Sequence, residues 1–305
     1  MKNIKRIAGS LLLLCLLALT SCRPVQYKAV IITGQNNHNW PVSHQAIKLI
    51  LENSGMFQVD LAVSPEKGGD FSGFNVDFKK YDVVVLDYNG DSWNQDMNEA
   101  FLDYARKGGG ILVYHAADNA FRNWKEFNEI IALGGWENRN ETDGPYVYWK
   151  DGALVRDNTP GVGGSHGVQH AYQMNSRSGD HPIIKGLPAQ WKHAQDELYD
   201  HMRGPGDIKD LLYTAYADPE KRGSGREEPL VFTVNWQKAR IFHIMIGHAG
   251  ETLKDNPAMQ CTGFQTLMLR GAEWCASGKV TQEVPQDFPT KESTSMRLDY
   301  KAPEK

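Results

Sequence analysis

Five histidines and one pair of adjacent carboxylates are the residues whose types and placement could do chemistry: His38, His115, His166, His170 and His248, with Asp196 and Glu197. Imidazole changes charge near neutral pH and carries a metal-ligating nitrogen. Beside a carboxylate it suits either a zinc-like divalent transition metal or general acid and base work. His115 and His248 each end an apolar run (Gly-Ile-Leu-Val-Tyr-His and Ile-Phe-His-Ile-Met-Ile-Gly-His), and His166 and His170 lie four apart after a glycine-rich stretch. Neighbouring side chains on an extended segment point to opposite faces. One carboxylate of the 196–197 pair, Glu197, is therefore expected in a pocket, which disfavours a two-carboxylate glycosidase built on that pair. The catalytic candidates are His115, Glu197 and His248, and the metal-ligand candidates are His115, His166, His170 and His248. His181, held before Pro182, reads as structural. His243, inside an apolar run, reads as packed or solvent-facing.

These residues need a scaffold, and the hydrophobic pattern supplies one. Segments 28–33, 57–63, 81–86 and 111–114 are rich in Val, Ile and Leu and read as strands. Between them lie helical faces: Ala46, Ile47, Ile50 and Leu51, then Phe101, Leu102 and Ala105, then Phe127, Ile130 and Ile131. Asp96 with Glu99, and Asn123 with Glu126, stand at capping-box spacing, while Gly55 and Gly134 read as helix stops. Alternating strands and helices predict an α/β fold, a mostly parallel sheet with helices on both faces. Such sheets bind ligands outside the carboxyl ends of their strands, where His115 falls.

From Trp136 to about Asp207 the pattern loosens into a long irregular excursion rich in glycine, histidine and aromatic residues, with one hairpin signal across Lys150-Asp151-Gly152. Strands are expected again at 211–217, 229–236 and 240–246, and a helix at 264–276. The domain is read as 27–289, and residues 290–305, unpatterned and rich in Lys, Glu and Pro, as a disordered tail.

The chain has 305 residues, 41% hydrophobic and 23% charged, enough for one large globular domain. Lys2, Lys5 and Arg6 precede the apolar run 11–19, which closes on Leu-Thr-Ser-Cys. That ending reads as a signal peptide over 1–22 with a lipobox at Cys22, too short for a stable membrane span. The expectation is an exported lipoprotein, facing the periplasm or cell surface and touching the membrane only through a lipid on Cys22. Removing residues 1–21 moves the formal charge from −4 to −7, a balance that argues against nucleic acid as a partner. Cys261 and Cys275 then remain. Fourteen helical residues would hold them about 20 Å apart, against the roughly 7 Å limit between disulfide Cα atoms.

Six segments in one order carry a family resemblance: Thr33-Gly-Gln-Asn-Asn-His-Asn-Trp40, Gly109-Gly-Ile-Leu-Val-Tyr-His-Ala-Ala117, Gly163-Gly-Ser-His-Gly167, His181-Pro-Ile-Ile-Lys-Gly-Leu-Pro188, Asp196-Glu-Leu-Tyr199 and Arg240-Ile-Phe-His-Ile-Met-Ile-Gly-His248. Over about 27–289 the chain resembles the ThuA-like (trehalose-utilisation) proteins. The resemblance implies a flavodoxin-like, class I glutamine amidotransferase-like fold. It also implies a carbohydrate ligand and cleavage of glycosides or 3-keto glycosides, by hydrolysis or elimination. With a sugar in view, His38, Trp40, Trp136, His166 and Tyr199 become the substrate-binding candidates, because aromatic faces stack on sugar rings.

In amidotransferases the turn after the corresponding strand holds a nucleophilic cysteine. His115 stands there instead, so thiolate hydrolysis of glutamine is not expected. Gly161 to Gly167 lacks the Lys-Ser/Thr ending of a phosphate loop, and no nucleotide cofactor is expected. No Gly-x-Ser-x-Gly elbow follows a strand, which leaves a serine triad without support. The competing readings are a noncatalytic sugar-binding lipoprotein and a partner-binding subunit whose histidines are incidental. The sequence leaves the oligomeric state open.

Overall fold

The computed structural model describes residues 27–302. The lipobox and Cys22 lie outside the described residues. The first half alternates as expected: β1 (Tyr27–Thr33), α1 (Trp40–Asn53), β2 (Phe57–Val63), β3 (Val83–Leu86), α2 (Gln95–Arg106), β4 (Gly110–Tyr114) and α3 (Lys125–Ile131). The excursion contains the hairpin β5 (Tyr146–Lys150) and β6 (Ala153–Asp157), then β7 (Ser165–His166), β8 (Gln173–Ser176), β9 (Gln190–Lys192) and β10 (Tyr199–Asp200). The chain finishes with β11 (Ile208–Tyr216), β12 (Glu227–Val234), β13 (Arg240–Ile244), α4 (Pro257–Gln260) and α5 (Thr262–Ser277).

Strands β2-β1-β3-β4-β13 form a parallel sheet in the flavodoxin-like order, the fifth strand arriving only after the long excursion. Beyond β13 the sheet continues antiparallel through β12, β11, β8 and β9. Val30, Ile31, Ile32, Val83, Val84, Val85, Ile111, Leu112 and Val113 are all within 1% of full burial. Both faces of these strands are therefore covered, which is why they read as continuous apolar runs rather than alternating ones. The two covers can be told apart on β13. The Phe242 ring lies where a side chain on Gly271 of α5 would be, while the next residue, His243, reaches through Nδ1 to the Ile131 carbonyl that ends α3, at 2.7 Å. His243 is thus a core residue, 3.5 Å from the buried Asp118 carboxylate.

The glycines before β4 have separate tasks. Gly108 turns the chain at φ +98°, and a Cβ on Gly110 would meet the Cys275 carbonyl at 2.3 Å, so α5 can close on β4 only without a side chain there. Cys275 and Cys261 are both free and buried.

Two local expectations are corrected. Asn94 caps α2 by accepting the Met97 amide proton, ahead of the Asp96–Glu99 pair, and α3 begins at Lys125 without a side-chain cap, so Asn123 and Glu126 form no capping box. Residues 290–302 run mostly exposed along the surface and are held at a few points. Cys261 bridges to Met296, Arg297 pairs with Asp287, and Tyr300 is 3% exposed with its hydroxyl on Asn256 and Leu253. A few side-chain anchors hold the strap, and periodicity cannot reveal them.

One fold feature sets a pH dependence. Asp87, at the end of β3, is fully buried and accepts hydrogen bonds from Ser43 (2.7 Å), Asn36 (3.2 Å) and Thr33 (3.3 Å). Burial outweighs these bonds and raises its carboxyl to about 7. The folded chain keeps a proton that the unfolded chain releases near pH 4. This site's contribution, on the order of 4 kcal/mol, is present in acid and is lost as the pH rises from about 4 to about 7. Asp87→Asn is expected to flatten the fall in stability across that interval in urea titrations at stepped pH. An unchanged slope would refute the assignment.

Candidate functional site

Three strand ends and the excursion converge on one point. Gly34 takes the chain out of β1, and the loop is fixed by the His38 amide donating to Asn36 Oδ1 (2.9 Å) and the Asn37 amide to Asn89 Oδ1 (3.0 Å). His115 leaves β4 at φ +45°, a left-handed backbone uncommon outside glycine and typical of strained functional turns. His248 follows Gly247, whose φ of +107° and contact with the Phe264 ring admit no side chain. The excursion returns through Asp196 to Tyr199 to close the group.

Glu197 is the hub. Its Oε2 lies 3.2 Å from His248 Nδ1, 3.3 Å from His38 Nε2 and 3.7 Å from His115 Nε2, and its Oε1 lies 3.6 Å from His166 Nε2 and 3.3 Å from Gln169 Nε2. One donor atom each from His38, His115, Glu197 and His248 fall within 4.8 Å of one another. Burial would raise the Glu197 carboxyl, but hydrogen bonds from His248 and His38 and the nearby imidazoles hold it well below the usual range. A carboxylate so firmly ionised is a good ligand and a poor proton acceptor.

The histidines differ in the same terms. His115, 1% exposed, donates Nδ1–H to the Met245 carbonyl (2.6 Å), which leaves its Nε2 lone pair facing the group and the Tyr199 hydroxyl (3.0 Å). Burial drives its conjugate acid down to about 3, so it stays neutral. Burial opposes protonation of His248 too, yet the hydrogen bond and charge of Glu197 raise it on balance. A neutral, oriented imidazole, a permanent carboxylate and two further imidazoles match a three-histidine, one-carboxylate metal site, with the Met245 carbonyl as outer partner. Among the described residues His38 Nδ1 is buried without a hydrogen-bond partner.

The predicted residues therefore sort unevenly. His38, expected on the substrate, joins the metal-type group. His166 borders the group through Glu197, and neither His166 nor His170 is one of the four clustered donors; His170 Nδ1 meets the Val168 carbonyl at 2.7 Å. His38, Trp136, His166, Glu197, Tyr199 and His248 line a cavity of about 660 Å³. His115 is not among these lining residues and adjoins the cavity through Glu197 and Tyr199. Trp40 lies outside this cavity and lines the adjoining groove instead.

The partners of Asp196 were not foreseen. Asp196 faces away from the cavity, as alternation requires, but it is not idle. Its carboxylate accepts from His193 Nε2 (2.8 Å), the Gly247 amide (2.6 Å), the His248 amide (3.0 Å) and the Glu197 amide (2.8 Å). It ties the excursion to the end of β13 and sets the backbone beneath two members of the group. The Asp-Glu adjacency was the available signal.

Fold and site together define a flavodoxin-like, class I amidotransferase-like α/β protein with a histidine–carboxylate cluster, suited to a metal, at the carboxyl ends of its parallel strands. Within that class the chain belongs to the ThuA family, described as trehalose utilisation, whose family model matches residues 28–275. It is 66% identical to a ThuA-like protein of Parabacteroides merdae known from its crystal structure, covering 90% of this chain and 99% of that one with a TM-score of 0.90. A ThuA-like protein of Bacteroides uniformis shares the fold at 19% identity, covering 85% of this chain and 94% of that one with a TM-score of 0.52. No functionally curated protein matches the chain.

Proposed function

We propose that this protein is an exported, lipid-anchored carbohydrate-processing enzyme of the ThuA type, cleaving glycosides or 3-keto glycosides at the Glu197 cluster with the help of a divalent metal. The observation that carries the reading is the convergence of three imidazoles and one ionised carboxylate on a tryptophan-walled cavity at the carboxyl ends of parallel strands. The family's link to trehalose utilisation points the cavity toward sugars.

A ketone at sugar carbon 3 acidifies the hydrogen on carbon 2, and its removal lets the anomeric substituent leave. A metal held by His38, His115, Glu197 and His248 would supply Lewis-acid polarisation of the carbonyl. The proton acceptor must be a neutral base on the open side. His166 fits, because its Nδ1–H donates to the Gly167 carbonyl (2.9 Å) and its Nε2 is left on the side of Glu197 and the cavity. Trp136, 4.7 Å from the Tyr199 ring, offers a wall for a sugar face.

The test is incubation of residues 23–305, loaded with zinc, manganese or nickel, with trehalose, cellobiose and their 3-keto derivatives in deuterated water. Glycoside cleavage, with deuterium entering at carbon 2, is expected. Binding with neither cleavage nor exchange would overturn the enzyme reading in favour of a noncatalytic sugar-binding lipoprotein. The anchor is tested separately, since Cys22→Ser in the full chain is expected to abolish fatty-acid labelling. Labelling that survives would refute the anchor.

A further inference from the structure

Beside the cluster cavity lies a larger groove, about 1220 Å³, and the two spaces share Asn37, Asn119 and Trp136 as lining. Together they exceed the roughly 300–1,000 Å³ of a typical small-molecule site. Its lining includes two half-buried indoles, Trp40 at the start of α1 and Trp124 before α3, the latter stacked against Phe127 at 5.5 Å, together with Asn36, Asn37, Asn89 and Asn123. Flat aromatic faces among amide side chains suit a polyhydroxylated ring, whose two faces are apolar and whose rim forms hydrogen bonds.

Two observations argue that this is a built site. Asn119, only 5% exposed, stands where the spaces meet, and among the described residues its amide oxygen has no hydrogen-bond partner; the indole N–H of the buried groove residue Trp93 has none there either. Buried polar groups left open in this way point to a missing partner. The wall is also held in an unusual backbone shape, with Phe121, Trp136, Glu137 and Asn138 all at left-handed φ between +48° and +61°. Such strain persists only where the surroundings enforce it, and it concentrates at functional sites. Here the enforcer is Arg139. Its guanidinium, 1% exposed, donates to the carbonyls of Asn119 (2.9 Å), Ala120 (2.8 Å) and Gly135 (2.8 Å) and clamps the two strained segments together.

We infer that the groove is a second saccharide subsite, so that the ligand is a di- or oligosaccharide lying across Asn119 and Trp136, with one ring at the Glu197 cluster and the next in the groove that Trp40 and Trp124 help to line. The inference rests on the carbohydrate reading of the site. It is tested by calorimetric titration of residues 23–305 with glucose, trehalose, cellobiose, cellotriose and maltotriose. At least one of the longer sugars is expected to bind about tenfold or more tightly than glucose. That ratio is expected to collapse in both Trp124→Ala and Trp40→Ala, the second variant guarding against misfolding of the first. Equal affinity for glucose and every longer sugar, or an undiminished ratio in both variants, would overturn the second subsite while leaving the carbohydrate reading standing. Failure of all five sugars to bind would overturn both.

Discussion

Glu197→Gln is expected to strip the protein of bound metal. Wild-type protein, incubated with zinc, manganese, nickel or iron salts and then desalted, should retain close to one ion per chain by elemental analysis. Losing even an outer hydrogen-bond partner of a ligand costs roughly 10- to 100-fold in metal affinity, and Glu197 is more than that. It is the single anion facing three imidazoles, at 3.2, 3.3 and 3.7 Å. A loss of at least about 100-fold is therefore expected. His115→Ala should act in the same direction, since its Nε2 faces the cluster and its Nδ1 is fixed on Met245. A metal present at about 100 times its dissociation constant adds about 2.7 kcal/mol to wild-type stability, and the rise in melting temperature should vanish in both variants. If wild-type protein takes up none of the four metals, the cluster is an acid–base assembly in its own right. His248, whose protonation Glu197 favours, would then be its proton donor.

How much of this could be seen beforehand depended on whether a residue's role was set locally or across the chain. Strands β1, β4 and β13 are continuous apolar runs because both faces are covered, and a run bounded by glycine or histidine is visible without any structure. The ends of β4 and β13 located His115 and His248 for the same reason. His38 and His170 were exchanged because spacing along the chain says nothing of loop direction. The His38 loop is aimed by contacts to Asn89 and to the Gly250 and Glu251 carbonyls, at separations of 52 residues and more, whereas His170 is turned onto its own Val168 carbonyl. The capping expectations failed more narrowly. Asn94 and the Asp96–Glu99 pair compete within one turn, and Asn94 also reaches the Phe71 and Phe74 carbonyls, which local spacing cannot register. Asp196 was expected to face away from the cavity, but its partners were not legible, because His193, Gly247 and His248 come together only when the excursion folds back on β13.

His166→Ala separates catalysis from metal binding. General-base removal typically costs about 10²- to 10⁴-fold in rate, and a loss of that size in kcat is expected on the substrate identified by the carbon-2 exchange assay. Metal content should stay near wild type, because His166 lies 3.6 Å from the carboxylate oxygen opposite the one that faces the three imidazoles and is not among the four clustered donors. The fold should tolerate the change, since the side chain is about one-third exposed and β7 pairs only with β10. The contrast with Glu197→Gln is the informative feature. One variant is to lose metal and rate together, the other rate alone. A merely structural His166 would instead lower stability or raise KM while sparing kcat. Carbon-2 exchange within about threefold of wild type in His166→Ala would remove this histidine as the base. The other imidazoles lining the cavity are His38 and His248, both beside Glu197 and both among the four clustered donors, so neither can serve as free base and metal ligand at once. Retained exchange in His166→Ala would therefore count against the metal as well as against His166, and the two substitutions test the site as one hypothesis from opposite sides of a single carboxylate.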